Sequence, residues 1–192
     1  MKRITNWNDV KPSGDFERLK AGGYVIKITG TADKPEKEYL EIFYDIAEGP
    51  EAGRFSDPFW QDKPYARRFI RSYKDSALGM FKAFIKAVDA TNGTTFDEDM
   101  KKGPLKEQKL MGLLLGVVLG EEEYRTNRGD VGRRLYVKTI TTADKIRKGD
   151  FTVPDVVPLK EDAHDGMKPA NDVSFGEPVQ SSLTEDDLPF DD

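Results

Sequence analysis

Between Tyr24 and Ile46 the chain twice alternates its residues with a period of two, and only an extended strand can use that pattern. Tyr24, Ile26 and Ile28 fall on one side of the first run, with Val25, Lys27 and Thr29 on the other. In the second run Leu40, Ile42, Tyr44 and Ile46 oppose Tyr39, Glu41, Phe43 and Asp45. Successive strand residues point to opposite faces, so each run is a half-buried strand, and Asp33 to Lys37 between them reads as a turn. Glu48 to Gly53 ends the second strand. A third extended region spans 54–73, interrupted near Pro58 and Pro64. The period then changes. Leu78, Phe81, Phe84, Ile85 and Val88 recur at helical spacing, which predicts a helix over 76–90, capped by Asp75 and stopped by Asn92 and Gly93. A polar loop follows, then a strand over 109–124, a turn at 126–132, a last strand over 133–142 and a short helix at 143–148.

Three strands, a helix and two strands make an all-β domain with one main helix. That is the element order of an OB-fold, a five-stranded barrel with a helix between strands three and four. The expected domain covers 1–154, with Ile4, Trp7, Val10, Phe16 and Leu19 as an apolar lead-in. From 155 onward prolines and acids dominate, and such a segment buries too little apolar surface to offset its ordering entropy. Residues 155–192 are therefore expected to be a disordered tail. Charge divides at the same place. The tail carries eleven Asp and Glu against Lys160 and Lys168, a net of −9, whereas 1–154 carry 28 Lys and Arg against 24 acids, a net of +4. An overall charge of −5 thus conceals a mildly basic body compatible with a polyanionic ligand.

Several chemistries have no residues to support them. Cysteine is absent, which excludes disulfides and thiolate metal sites and suits the reducing cytoplasm. His164 is the only histidine and lies in the tail, so no histidine triad or histidine metal cluster is expected. No phosphate-binding loop follows a strand. Glu121-Glu122-Glu123 and Asp97-Glu98-Asp99 read as solvated acids rather than cation sites. The expectation is a protein that is not an enzyme and needs no cofactor or metal. The apolar run 110–119 is too short to span a bilayer, and the spacing of Gly112, Gly116 and Gly120 within it makes a poor membrane-helix motif.

What remains is a pattern of rings and cations. Trp60, Tyr65, Phe69 and Tyr73 interleave with Lys63, Arg67, Arg68, Arg71 and Lys74. Single-stranded DNA is held by this mixture, because bases stack on aromatic faces while cations follow the phosphates. On a strand Arg67, Phe69, Arg71 and Tyr73 share one face, and Arg68, Ile70 and Ser72 share the other. The first face is the expected ligand platform, with Trp60 beside it. The competing reading makes Phe69 and Tyr73 core residues with a solvated arginine rim. A second cluster, Arg125, Arg128, Arg133, Arg134 and Lys138 with Tyr124 and Tyr136, flanks the last hairpin, and Arg133, Arg134 and Tyr136 are expected to border the groove.

The chain's last nine residues, Thr184 to Asp192, read Thr-Glu-Asp-Asp-Leu-Pro-Phe-Asp-Asp. Asp186, Asp187, Leu188, Pro189 and Phe190 resemble the C-terminal tip of bacterial single-stranded-DNA-binding proteins. In that family the tip docks onto replication and repair enzymes. The pattern departs from the family in that Asp191 and Asp192 follow the phenylalanine, which elsewhere is terminal. The body resembles a group of uncharacterised phage proteins from Gram-positive bacteria, encoded among replication and recombination genes. That likeness rests on Tyr39 to Ile46 with Glu48-Gly49, on Arg71 to Phe84, and on Leu119 to Tyr124. Together these resemblances imply a phage-type single-stranded-DNA-binding protein of the host cytoplasm. It would coat DNA in replication or recombination and recruit partner proteins through its tip. The alternative from another class is an interaction module that engages host replication enzymes through the tip without touching DNA. DNA against RNA, and monomer against homo-oligomer, stay open.

Overall fold

A computed structural model describes residues 18–60 and 62–159. The apolar lead-in before Arg18 and the expected tail and tip from Lys160 onward, including Asp186, Asp187, Leu188, Pro189 and Phe190, lie outside the described residues.

Five strands form one antiparallel sheet in the order β3-β2-β1-β4-β5. They are β1 (Gly22–Lys34), β2 (Tyr39–Ile46), β3 (Arg68–Ser72), β4 (Leu114–Arg125) and β5 (Val131–Thr141). The main helix α1 (Leu78–Asn92) stands between β3 and β4; a short helix α2 (Phe96–Met100) follows it, and another, α3 (Ala143–Arg147), follows β5. The sheet is not closed. Among the described residues β3 and β5 are its two edges, where a closed barrel was expected, and α1 packs against both of them and against β4.

The alternation read in the sequence sets which face is buried. Ile26 and Ile28 of β1, Leu40, Ile42, Tyr44 and Ile46 of β2, Phe69 of β3 and Leu115, Val117 and Leu119 of β4 form one inner face. Phe81, Phe84, Ile85 and Val88 of α1 close over it. Of the largest side chains here, Phe84, Ile26, Ile28 and Ile42 are almost wholly removed from water, each stabilising the fold by roughly 1.5–3 kcal/mol. A bulge between Ile28 and Gly30 shifts the β1–β2 register, so Gly30 stands opposite Phe43 rather than continuing the inward series.

Helix boundaries differ modestly from the sequence reading, for local reasons. Asp75 is not the cap: it opens a 3-10 turn over 75–77, and α1 starts after Ala77. Gly93 does end the helix, at φ +67°, its N–H returning 2.8 Å to the Asp89 carbonyl. Asn92 does more than stop the helix. Its side chain donates to the carbonyls of Val88 and Leu114 and accepts from the Leu114 N–H at 2.9 Å, fastening the end of α1 to the start of β4. Asp89 accepts from Thr94 Oγ1 and from the N–H groups of Phe96 and Asp97, which builds α2 where a loop was expected.

The outer face of β1 and β4 is covered in turn, and glycines permit it. Val25, Val118, Ala143 and Ile146 make a second apolar cluster beneath α3. A side chain at Gly116 would collide with the Thr142 carbonyl and with Ile146, so glycine is required for close approach rather than for a turn. The same holds at Gly23, where a Cβ would lie 2.5 Å from the Phe151 ring, and at Gly120, 2.9 Å from Pro154. Residues 151–159 therefore lie on the sheet as a strap. Val157 donates to the Glu121 carbonyl and accepts from the Glu123 N–H, both at 2.9 Å, in the one parallel bridge among the described residues. This corrects the domain boundary: 155–159 belong to the body, not to the tail. Pro154 and Pro158 carry no N–H, which blunts the strap as a new sheet edge. No helix among the described residues is long and apolar enough to cross a membrane.

Candidate nucleic-acid interface

Pairing of β2 with β3 fixes the parity of the aromatic–basic region. Ile42 lies opposite Phe69, Glu41 opposite Ile70 and Phe43 opposite Arg68. Since Ile42 points into the core, Phe69 does too. It is 6% exposed, and its ring meets Tyr44 at 5.9 Å and Phe84 at 6.4 Å. Phe69 is therefore a core residue and offers no face to a base. Arg71 follows it inward: the guanidinium sits 5.2 Å from the Phe69 ring centre and donates to the Ile70 carbonyl. Burial pushes Arg71 down to about 10, still cationic at neutral pH. Tyr73 packs edge-on against Phe81 at 5.8 Å and donates its hydroxyl to Asp33 Oδ1 at 2.8 Å. Its burial and the Asp33 carboxylate raise that hydroxyl to about 12. Arg67 ends a 3-10 turn at 64–67, half-buried, its Nε enclosed. The face expected to be the platform is thus mostly the inward one.

The opposite face carries the accessible mixture. Tyr39, Phe43, Arg68 and Ile70 are all half-exposed on the outer side of β2 and β3. The Phe43 ring lies above Gly30, where an added Cβ would meet it at 3.6 Å. Arg68 Nη1 is 2.9 Å from Glu41 Oε1, and both side chains are largely sheltered. Two rings, an aliphatic side chain and a held cation therefore share one pleated surface. In the sequence Arg68, Ile70 and Ser72 share the second face, with nothing in that segment to link them to Tyr39 and Phe43. The antiparallel register with the alternating β2 run was the signal that joins them.

The hairpin cluster divides as well. Arg133 and Arg134 are neighbours on β5 and point to opposite faces. Each is met by an acid directly across the ladder: Arg133 Nη2 lies 3.2 Å from Glu123 Oε1, and Arg134 Nε 2.7 Å from Glu122 Oε1. Two residues of the acidic triplet and the basic pair, separate features in the sequence, are cross-strand partners, while Glu121 stands opposite Leu135. Arg134 also stands 5.4 Å over the Tyr124 ring. Tyr136 shares the Arg134 face but rests half-buried against Gly120 beside Pro154, and burial followed by the Glu122 charge raises its hydroxyl. Arg125 bonds to the Gly129 carbonyl at 3.2 Å across a turn that Gly129 makes at φ +89°. Arg128-Gly129-Asp130 thus serves as turn chemistry.

Trp60, half-buried, stands between Phe55 and Phe59, edge-on to both. It supports the turn before β3 more than it faces outward. What this geometry can do chemically is bind: apolar rings and guanidinium groups lie on an open sheet surface. The sequence matches no protein-family model and shows no significant similarity to any curated protein.

Proposed function

We propose that this protein binds single-stranded DNA, largely without regard to sequence and without catalysis, through an OB-type body. Its C-terminal tip would recruit replication or recombination partners, in keeping with a phage-type protein working in the bacterial cytoplasm. An OB barrel opened between its third and fifth strands has the strand order β3-β2-β1-β4-β5, and the fold is known in partly open form. The observation that carries the reading is the outer face of β2–β3, where Tyr39, Phe43 and Ile70 surround Arg68. Bases stack on such rings at roughly 1–3 kcal/mol each while cations track the phosphates. The binding set is accordingly Tyr39, Phe43, Arg68 and Ile70, with Arg133, Arg134 and Tyr136 at the hairpin. Arg71, Tyr73, Arg67 and Trp60 support it from behind, and Phe69 drops out.

The test is titration of labelled oligo-dT at two salt concentrations. A DNA binder loses affinity steeply as salt rises. The interaction-module reading draws its support from the hairpin, where Glu122 and Glu123 already occupy the arginines. That reading requires no oligonucleotide binding at low salt. It also requires capture of a replication enzyme by the full chain and its loss in Phe190→Ala.

A further inference from the structure

The 21 residues between β2 and β3 form the longest connection between consecutive strands that pair directly with each other, and they are organised around a column of rings. Tyr44 in the core meets Phe55 at 5.7 Å, Phe55 meets Trp60 at 5.3 Å, and Trp60 meets Phe59 at 5.1 Å, each pair near perpendicular. The base of the column is fixed by Asp45, whose buried carboxylate accepts from the N–H groups of Ile46 and Phe55 and from Ser56 Oγ. Further out, Asp57 Oδ1 accepts from the Phe59 N–H at 2.8 Å. Phe59 thus extends a packed column of rings, yet it is 48% exposed. Lys63 Nζ sits 3.1 Å from its ring centre, and Tyr65, two residues on, is 67% exposed.

We propose that this turn is a nucleobase-stacking site for single-stranded nucleic acid. A base would take the Phe59 face on which Lys63 now lies, the lysine would move to the adjoining phosphate, and Tyr65 would receive a second base. This inference rests on the single-strand reading above and adds a contact outside the sheet. Three observations favour a nucleic acid over a protein as occupant. The ring is covered by a flexible cation, and an apolar protein surface would have to bury that ammonium, whereas a polynucleotide supplies it with a phosphate. The segment 62–68 carries Lys63, Arg67 and Arg68 against Asp62. The turn also delivers the chain into β3 at Arg68, directly opposite Phe43 of the outer sheet face. A ring stacked with a base outweighs a ring shared with an exposed lysine.

The chain has two tryptophans, Trp7 and Trp60, so Trp7→Phe in the full chain leaves Trp60 as a reporter in contact with Phe59. Labelled oligo-dT anisotropy measures total binding, and Trp60 emission measures events at the turn. The expected result is a change in Trp60 emission that saturates with the anisotropy. Phe59→Leu, which keeps an apolar side chain against Trp60, should then weaken binding about ten-fold without lowering the melting temperature. Lys63→Ala should flatten the salt slope by about 0.7. Binding with unaltered Trp60 emission and full affinity in Phe59→Leu overturns the proposal while leaving the sheet-face reading intact, and makes a protein partner the better occupant of the ring. No anisotropy change in any variant overturns both.

Discussion

Neutralising Glu122 and Glu123 should turn the hairpin from a self-paired ladder into a phosphate clamp. Both pairs are solvent-accessible: the Arg133 and Arg134 side chains are 51% and 60% exposed, and their glutamates 24% and 29%. Pairs so exposed contribute roughly 0–1 kcal/mol each, so Glu122→Gln with Glu123→Gln costs at most about 2 kcal/mol of stability. The effect on DNA binding is separate from this cost. Each phosphate neutralised on a single strand adds about −0.7 to the slope of log affinity against log salt, so two freed arginines add about −1.4. Between about 50 and 200 mM salt the double variant should therefore lose roughly seven-fold more affinity than the parent, starting from tighter binding at the low end. Fluorescence titration of oligo-dT over a salt series reads this directly, with thermal melts confirming that the fold survives. Equal slopes in the two proteins would remove Arg133 and Arg134 from the interface.

Further consequences separate core from surface. Phe43→Ala should weaken oligo-dT binding by roughly 1–3 kcal/mol with little change in melting temperature, while Phe69→Ala should cost roughly 3–5 kcal/mol of stability; the reverse pattern in titration and thermal melts would restore the inward face as platform. Gly116→Ala should destabilise by roughly 1–3 kcal/mol, because the methyl meets the Thr142 backbone, whereas Gly79→Ala, in the open on α1, should stabilise by about 0.5–1 kcal/mol; thermal melts check both, and equal shifts would refute the close packing of α3. Burial holds the Tyr44 hydroxyl up at about 12, so stability is intact below its ordinary value near 10 and declines as the pH rises toward 12, by up to roughly 3 kcal/mol. Tyr44→Phe should blunt that decline in melts across the same range, and an unaltered decline would assign it to other groups.

The parts of the fold legible in the sequence are those written in a local period. Two-residue alternation fixed the inner faces of β1 and β2, and the spacing of Phe81, Phe84, Ile85 and Val88 fixed the buried face of α1. Elements held by side-chain hydrogen bonds left no such trace. Helix α2 has one buried residue, Phe96, and depends on the Asp89 carboxylate seven and eight residues upstream. The strap 151–159 has the proline content of a tail and is ordered by two glycines far away in sequence. Gly112, Gly116 and Gly120 form a spacing that imitates helix packing in membranes, but Gly116 makes room for α3 and Gly120 for the strap. Closure was illegible for a further reason: alternation says which face is buried, not whether β3 and β5 meet.

The candidate site shows how a strand's two faces compete for one reading. Residues 67–73 place Arg, Phe, Arg and Tyr on one parity and Arg, Ile and Ser on the other. Ring density favours the first as a stacking platform. But a five-residue strand beside an alternating β2 has to contribute its largest apolar side chain to the core, because Ile42 lies opposite and α1 brings Phe84 from above. Phe69 is that side chain, and Arg71 and Tyr73 go with it by period alone. The less aromatic face is left outward, and it becomes an aromatic surface only when β2 adds Tyr39 and Phe43 from the side of its own alternation that looks too polar to notice. The hairpin follows the same logic: Glu122 and Glu123 are separated from Arg133 and Arg134 along the chain, and only the ladder makes them pairs. In both places cross-strand register, not composition, decides which charges and rings stay accessible at the surface.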